Sequence, residues 1–143
     1  MRSTIDRALD RASPPLVGIS SLAVGADQVF AESVLERGCA LEAIIPFPDY
    51  ERRVAPGKER QLYRALLARA ERTTVLERVG TDEECYYAAG KYIVDSCEVL
   101  LAVWDGRPAK GLGGTGDIVR YAKQVGRRIV HIDPVRLSVD SLD

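Results

Sequence analysis

The 143-residue sequence has few of the residues that form disulfide bonds or bind structural metal ions. It contains one histidine, His131, and three cysteines, Cys39, Cys85 and Cys97. The odd cysteine count and the lack of a Cys-x-x-Cys pair argue against a disulfide framework and a structural zinc site, and one histidine excludes a histidine-rich metal site. We therefore predict no metal and no cofactor, and we interpret the thiols as small buried groups in a reducing cytoplasm.

Neither sign of charge is in excess, since 20 Lys and Arg stand against 21 Asp and Glu, a net charge of −1. This balance gives no global positive field, so nucleic acid is not an expected partner and any anion site has to be local. No apolar run approaches the length of a membrane span, and the first residues lack the apolar core of a signal peptide. We expect a single domain, residues 1–143, in the cytoplasm and without a membrane partner.

Short apolar runs alternate with helical patterns along the chain. Runs rich in branched residues predict five strands, at 16–20, 41–45, 73–76, 99–103 and 128–132. Apolar residues at helical spacing predict four helices between these strands, and residues 1–12 predict a further helix before the first strand. The alternation predicts an α/β fold with a three-layer, doubly wound and mostly parallel sheet of about five strands. Because the run at 99–103 has no polar alternation, we expect it at the centre of the sheet.

Local signals predict where several helices begin and end. Thr81 and Glu84 have the spacing of a capping box, in which each side chain bonds to the backbone of the other residue. Gly38 and Gly126 follow helical patterns at positions where helices commonly stop. The predicted boundaries therefore agree with the apolar periodicity.

A glycine-rich turn, residues 111–116, follows the predicted strand at 99–103. Four glycines in six residues leave the backbone free of Cβ atoms, so a pyrophosphate can meet N–H donors and the positive end of the next helix. The simpler explanation is that a tight strand-to-helix turn needs glycine for its geometry alone. We predict a phosphate site formed by Gly113, Gly114, Thr115, Gly116 and Asp117.

Asp117 complicates this prediction. A carboxylate in the first helical turn stabilises the helix dipole but repels a phosphate on the same N–H groups. We therefore expect Asp117 either to point away or to accept a ribose hydroxyl, and an ordinary helix-start acid is the alternative.

A second turn of this kind follows the first predicted strand. Ser20, Ser21, Gly25 and Asp27 precede or open a helical pattern, so hydroxyl and N–H donors would converge at the carboxyl edge of the sheet. We predict that this turn and the glycine-rich turn face one ligand crevice. Ordinary helix capping is the alternative for the two serines and for the aspartate.

Trp104 and Asp105 end the predicted strand at 99–103, beside the expected crevice. The indole would stack on a base or ribose and the carboxylate would hold hydroxyls, whereas packing beneath the loop is the alternative for the tryptophan. His131 has no motif that ties it to a nucleophile, so we interpret it as a packed residue rather than a catalytic one.

Residues 49–57 form the one long irregular loop, at a strand's carboxyl end, where a lid would sit. A phosphate clamp and ordinary solvated charge are both open for the residues of this loop and the following helix, namely Tyr50, Arg52, Arg53, Lys58 and Arg60.

Four segments together resemble the SLOG superfamily of Rossmann-like domains: SSLAVGAD at 20–27, IPFP at 45–48, VWDG at 103–106 and GGTGDIV at 113–119. This superfamily includes the LOG phosphoribohydrolases, the DNA-processing protein DprA and ligand-sensing domains. LOG enzymes carry Pro-Gly-Gly-x-Gly-Thr-x-x-Glu with a catalytic glutamate. Here Leu112 replaces the proline, Asp117 the threonine, and Val119 and Arg120 stand near the glutamate position.

The resemblance implies a Rossmann-like fold that binds a nucleotide or nucleotide derivative without assignable chemistry. Relatives of this pattern begin with an additional strand, so we expect that the usual first strand is lost or that the chain is truncated. A missing strand would expose a sheet edge, and this favours a homodimer. Two alternatives stay open: a hydrolase of an N-glycosidic bond with Asp105 or Asp117 as its catalytic residue, and DprA-like single-stranded DNA binding.

Overall fold

The computed structural model describes residues 1–107 and 113–142, and these residues form an α/β chain. The elements are α1 (Arg2–Asp10), β1 (Val17–Ser20), α2 (Ala26–Glu36), β2 (Ala40–Ile45), α3 (Lys58–Arg69), β3 (Arg72–Val75), α4 (Asp82–Ser96), β4 (Val99–Val103), α5 (Thr115–Gln124), β5 (Arg128–Ile132) and β6 (Val139–Ser141). The chain divides into two compact units. The first unit runs from Ala12 to Arg78, and the second unit comprises Ser3–Arg11 and the chain from Val79 onward.

The first unit contains a parallel sheet in the order β1-β2-β3. Gly18 of β1 lets α2 approach closely, because a Cβ atom at this position would lie 2.7 Å from Cγ2 of Val34. Leu41, Ala43 and Val34 are fully buried, so the sheet and α2 share an apolar interior.

The second unit contains a sheet in the order β4-β5-β6, in which β4 and β5 are parallel and β6 is antiparallel to β5. Val94, Ala102, Val119, Ala122 and Ile129 form its buried apolar cluster. Helix α1 is tied to the turn between β5 and β6, since Arg7 donates a hydrogen bond to the carbonyl oxygen of Leu137. The core of this unit therefore lies between the sheet and the helices α4 and α5.

All five predicted strands and the predicted helices are present, but the strands lie in two sheets rather than one. In its own sheet β4 is the edge strand and β5 is central, which differs from the expected central position of the run at 99–103. An unbroken apolar run predicts burial on both faces of a strand, but in β4 only Ala102 is buried and Val99 is exposed, as suits an edge strand. The strand β6 was not predicted, because its sequence, Val-Asp-Ser, is short and mostly polar.

The predicted helix ends are confirmed in detail. Thr81 accepts a hydrogen bond from the N–H of Glu84, and the Glu84 carboxylate accepts one from the N–H of Thr81. Gly126 has φ +74° and follows α5, where the N–H of Arg127 bonds to the carbonyl oxygen of Ala122 at 2.8 Å. This is the bond of a Schellman motif, and glycine suits it because the motif needs a left-handed residue.

Among the described residues, the helices are too short or too polar to cross a membrane. Of the three thiols, Cys85 is buried as expected, while Cys39 and Cys97 are only partly buried. Burial raises the pKa of the Cys97 thiol.

Candidate functional site

The second unit has a cleft of about 270 Å³ at the carboxyl end of β4. Two short stretches of chain line it: the end of β4 with the following turn, and one face of α5. The lining residues are Trp104, Gly106, Gly116, Val119, Arg120 and Lys123. The cleft thus combines an indole and two cationic side chains.

Trp104 is held in place through each of its polar atoms. Its backbone N–H donates to the carbonyl oxygen of Ile132 at 3.0 Å, and its indole Nε1–H donates to the carbonyl oxygen of Arg107 at 2.8 Å. Its own carbonyl oxygen accepts a hydrogen bond from Nε2 of His131 at 2.6 Å. The indole also packs against the buried cluster of this unit. Both functions considered for Trp104, packing and lining a cleft, are therefore combined in one side chain.

His131 is partly buried, and its ring centroid lies 5.5 Å from that of Trp104. Because it donates to the Trp104 carbonyl, it links the end of β5 to the end of β4. This position agrees with a packed histidine. Asp133, two residues on, accepts hydrogen bonds from the N–H groups of Arg136 and Val135, and these bonds lower the pKa of its carboxyl group.

The glycine-rich turn is described from Gly113 onward, and Gly111 and Leu112 lie outside the described residues. Gly113 has φ +91°, and a Cβ atom there would lie 2.7 Å from the backbone oxygen of Glu83 in the first turn of α4. Gly113 is therefore required by backbone geometry and close packing, as the simpler explanation holds. Gly114 caps α5, and Thr115 and Gly116 are its first two residues.

Asp117 uses its carboxylate within this turn. Its Oδ2 accepts a hydrogen bond from the N–H of Gly113 at 3.1 Å, and its Oδ1 lies 3.7 Å from Nη2 of Arg120. The carboxylate thus satisfies a backbone donor that was expected to meet a phosphate. These are the contacts of an aspartate that stabilises its own turn, rather than of one that binds a ribose hydroxyl.

Asp105 is exposed and is not among the residues that line the cleft. Its Oδ1 accepts a hydrogen bond from the N–H of Arg107 at 2.9 Å, which folds the turn after β4. The structure therefore gives Asp105 a turn-forming contact, and a catalytic role for it stays a prediction.

The turn after β1 belongs to the first unit and has the same internal arrangement. Asp27, the second residue of α2, accepts a hydrogen bond through Oδ2 from the N–H of Ala23 at 3.2 Å. Ser20 is buried, and its Oγ accepts from the N–H of Leu22 at 3.0 Å. Burial raises the pKa of Asp27, against the opposing effects of hydrogen bonds from Ala23 and from Ser20.

Leu22 adopts φ +59°, a conformation that is unusual for a residue with a branched side chain, and its side chain is fully buried. Gly25, with φ +102°, caps α2, and Ser21 is partly buried. The structure thus brings Ser20 and Asp27 into contact. The expectation that this turn shares a crevice with the glycine-rich turn stays a prediction.

The loop predicted as a lid contains a 3-10 helix, Tyr50–Arg53. Tyr50 is buried and makes edge-to-face contacts with Phe47 and Tyr63. Arg60 donates through two nitrogen atoms to the carbonyl oxygen of Val54, so this side chain fixes the loop instead of extending from it. Burial raises the pKa of Tyr63 to about 12.

A further pair fixes the same loop, since Arg64 of α3 forms two hydrogen bonds of 2.9 Å to the carboxylate of Glu51. Arg52 and Lys58 are exposed, as expected for solvated charge. These hydrogen bonds favour a loop that is fixed against α3 over a mobile loop that closes on a phosphate.

Lys123 was not predicted as a site residue, and Val119 and Arg120 were predicted only as departures from the LOG motif. A signal was nevertheless present. Gly116, Val119, Arg120 and Lys123 are spaced by three, four and seven residues, so they share one face of a helix that begins at the glycine-rich turn. A cationic face at such a turn is a better indication of an anion site than the glycines alone.

Comparisons with known proteins add no assignment, since no protein-family model and no curated protein matches the chain.

Proposed function

We propose that this chain binds a nucleotide or nucleotide derivative in the cleft of the second unit. The single observation that carries the proposal is the lining of that cleft, in which the indole of Trp104 accompanies the cationic side chains of Arg120 and Lys123. An aromatic face stacks on a base, and cations attract phosphate. Nucleotides are the common ligands that offer both groups.

The volume of the cleft supports a small member of this class. At about 270 Å³, it lies just below the usual range for ligand pockets, which begins at roughly 300 Å³. A mononucleotide, partly exposed, suits such a cleft better than a dinucleotide. The hydrogen bond from the Trp104 indole to the carbonyl oxygen of Arg107 also favours binding, because a side chain that is already ordered loses little entropy when a ligand stacks on it.

We further propose that the fold is the Rossmann-like fold of the SLOG superfamily. Support comes from the succession of strands and helices and from the positions of the turns at Ser20 and at Trp104, each directly after a parallel strand. A homodimer and a location in the cytoplasm stay predictions that accompany this proposal.

The hydrolase alternative gains no support from the contacts of its two candidate residues. Asp117 and Asp105 each accept a hydrogen bond from the backbone of their own turn. Binding of single-stranded DNA likewise gains nothing from a chain with a net charge of −1. Both stay open as predictions, and the binding function is the one that the geometry supports best.

Calorimetric titration with a panel of nucleosides, nucleoside monophosphates and nucleotide sugars tests the proposal. We expect at least one phosphorylated ligand to bind, and Trp104→Leu to weaken it by about tenfold or more, because stacking on an aromatic side chain contributes roughly 1–3 kcal/mol. Trp104→Phe keeps an aromatic face and should retain most of the affinity.

Tyr92→Leu is the matched control, since Tyr92 is an exposed aromatic residue of α4 outside the cleft lining. Thermal melts of each variant separate lost binding from lost folding. Failure of the native chain to bind any ligand of the panel would refute the proposal, as would an equal loss of affinity in Tyr92→Leu and Trp104→Leu.

A further inference from the structure

A nucleotide bound in the cleft needs a partner for its phosphate, and the choice of that partner rests on the proposed nucleotide function. A glycine-rich turn before a helix ordinarily binds phosphate through its backbone N–H groups. In this chain the N–H of Gly113 already donates to Asp117, and the N–H of Asp117 donates to the carbonyl oxygen of Gly114 at 3.0 Å. The turn therefore holds an anionic group of its own.

The position of that carboxylate opposes a second anion. Asp117 sits in the first turn of α5 with 16% of its side chain exposed, where it already interacts with the positive end of the helix. A phosphate on the neighbouring N–H groups would lie beside a like charge with little water between them. Phosphate binding at the N-terminus of α5 is for this reason disfavoured.

The cationic groups of the cleft lie further along the same helix. Arg120 and Lys123 are three residues apart, which makes them neighbours on the surface of α5. Side chains on a helix lean toward its N-terminus, so both extend back toward Gly116 and the cleft. Both line it in the structure.

Arg120 is well placed to exchange partners. Its contact with Asp117 is 3.7 Å long, beyond the range of a good hydrogen bond, and 67% of its side chain is exposed. A guanidinium group held this loosely has N–H donors to offer a phosphate, and it binds phosphate with two parallel hydrogen bonds. The indole of Trp104 completes the cleft as its aromatic wall.

We propose that Arg120 and Lys123 bind the phosphate of the ligand, while Trp104 stacks on its base, and that Asp117 limits the charge the site accepts. The ligand class is then a nucleoside monophosphate. Each further phosphate adds negative charge near the Asp117 carboxylate, so di- and triphosphates of the same nucleoside bind more weakly than the monophosphate.

The experiment compares adenosine, AMP, ADP and ATP by calorimetry, with the corresponding guanosine, cytidine and uridine series included. We expect Arg120→Gln and Lys123→Gln each to weaken monophosphate binding by about tenfold, as for loss of a charged hydrogen bond, and to weaken nucleoside binding by a clearly smaller factor. Lys123→Arg should restore affinity. Asp117→Asn should reduce the preference for the monophosphate over the triphosphate.

Arg128→Gln is the matched control, because it removes one positive charge from an exposed position of the same unit outside the cleft lining. If nucleotides bind but Arg120→Gln and Lys123→Gln behave like Arg128→Gln, this inference is overturned and the proposed function stands. If no nucleotide binds the native chain, both are refuted. A monophosphate that binds no better than its nucleoside also overturns the inference alone.

Discussion

Replacing Gly113 with alanine tests whether the glycine-rich turn is constrained by its packing. The perturbation has two parts. Gly113 has φ +91°, and alanine in a left-handed conformation costs about 1–2 kcal/mol. The new Cβ atom would also lie 2.7 Å from the backbone oxygen of Glu83 and 3.2 Å from the backbone nitrogen of Tyr87.

Contact with backbone atoms cannot be relieved by a change of rotamer, so α4 or the turn has to move. Overpacking of this kind costs about 1–3 kcal/mol. Together the two parts predict a loss of about 2–5 kcal/mol from the free energy of unfolding, measured by urea denaturation at neutral pH.

Gly126→Ala separates the two contributions. Gly126 has φ +74°, but a Cβ atom there would meet nothing within 4 Å. This variant should lose only about 1–2 kcal/mol. Alanine also stiffens the unfolded chain, to a similar degree in both variants, so this effect cancels in the comparison. Equal losses in Gly113→Ala and Gly126→Ala would refute the close packing of the turn against α4.

Two further predictions concern stability. Thr81→Ala removes the capping box of α4 and should lower the free energy of unfolding by about 1 kcal/mol in urea denaturation, whereas Thr81→Ser should retain most of it; equal losses in both variants would contradict the cap. Tyr63 has its pKa raised from 10.0 to about 12, so the folded state keeps a proton that the unfolded state releases. The contribution of Tyr63 to the free energy of unfolding is therefore fully present below pH 10 and is lost as the pH rises toward 12. In urea unfolding curves recorded between pH 10 and pH 12, the free energy of unfolding should fall less steeply with pH for Tyr63→Phe than for the native chain. An identical fall would contradict the raised pKa.

Local patterns were the part of the fold that the sequence specified well. The strand at 99–103 and the capping box at Thr81 depend on neighbouring residues, and both are present as expected. The division into two sheets and the strand β6 depend on pairing between distant segments. Three residues, Val139–Ser141, carry too little pattern to predict such pairing.

The candidate site was predicted in part for the same reason. Trp104 and Gly116 were expected near a ligand because they flank a turn, and both line the cleft. Asp117 was expected to point away from a phosphate, to accept a ribose hydroxyl or to be an ordinary helix-start acid, but its hydrogen bond to the N–H of Gly113 was not predicted. A bond to a backbone group four residues earlier has no distinct sequence pattern. Lys123 was missed because it lies seven residues beyond Gly116, and it is the helical repeat that places the two on one face of α5.

The pairing of Trp104 with His131 has a practical consequence. The chain contains one tryptophan and one histidine, and their rings lie 5.5 Å apart at the candidate cleft. Tryptophan emission from the folded protein therefore comes from a single known position, and the imidazole resonances in a proton spectrum belong to its neighbour. The unmodified chain thus carries its own paired spectroscopic labels at the place where a ligand is expected.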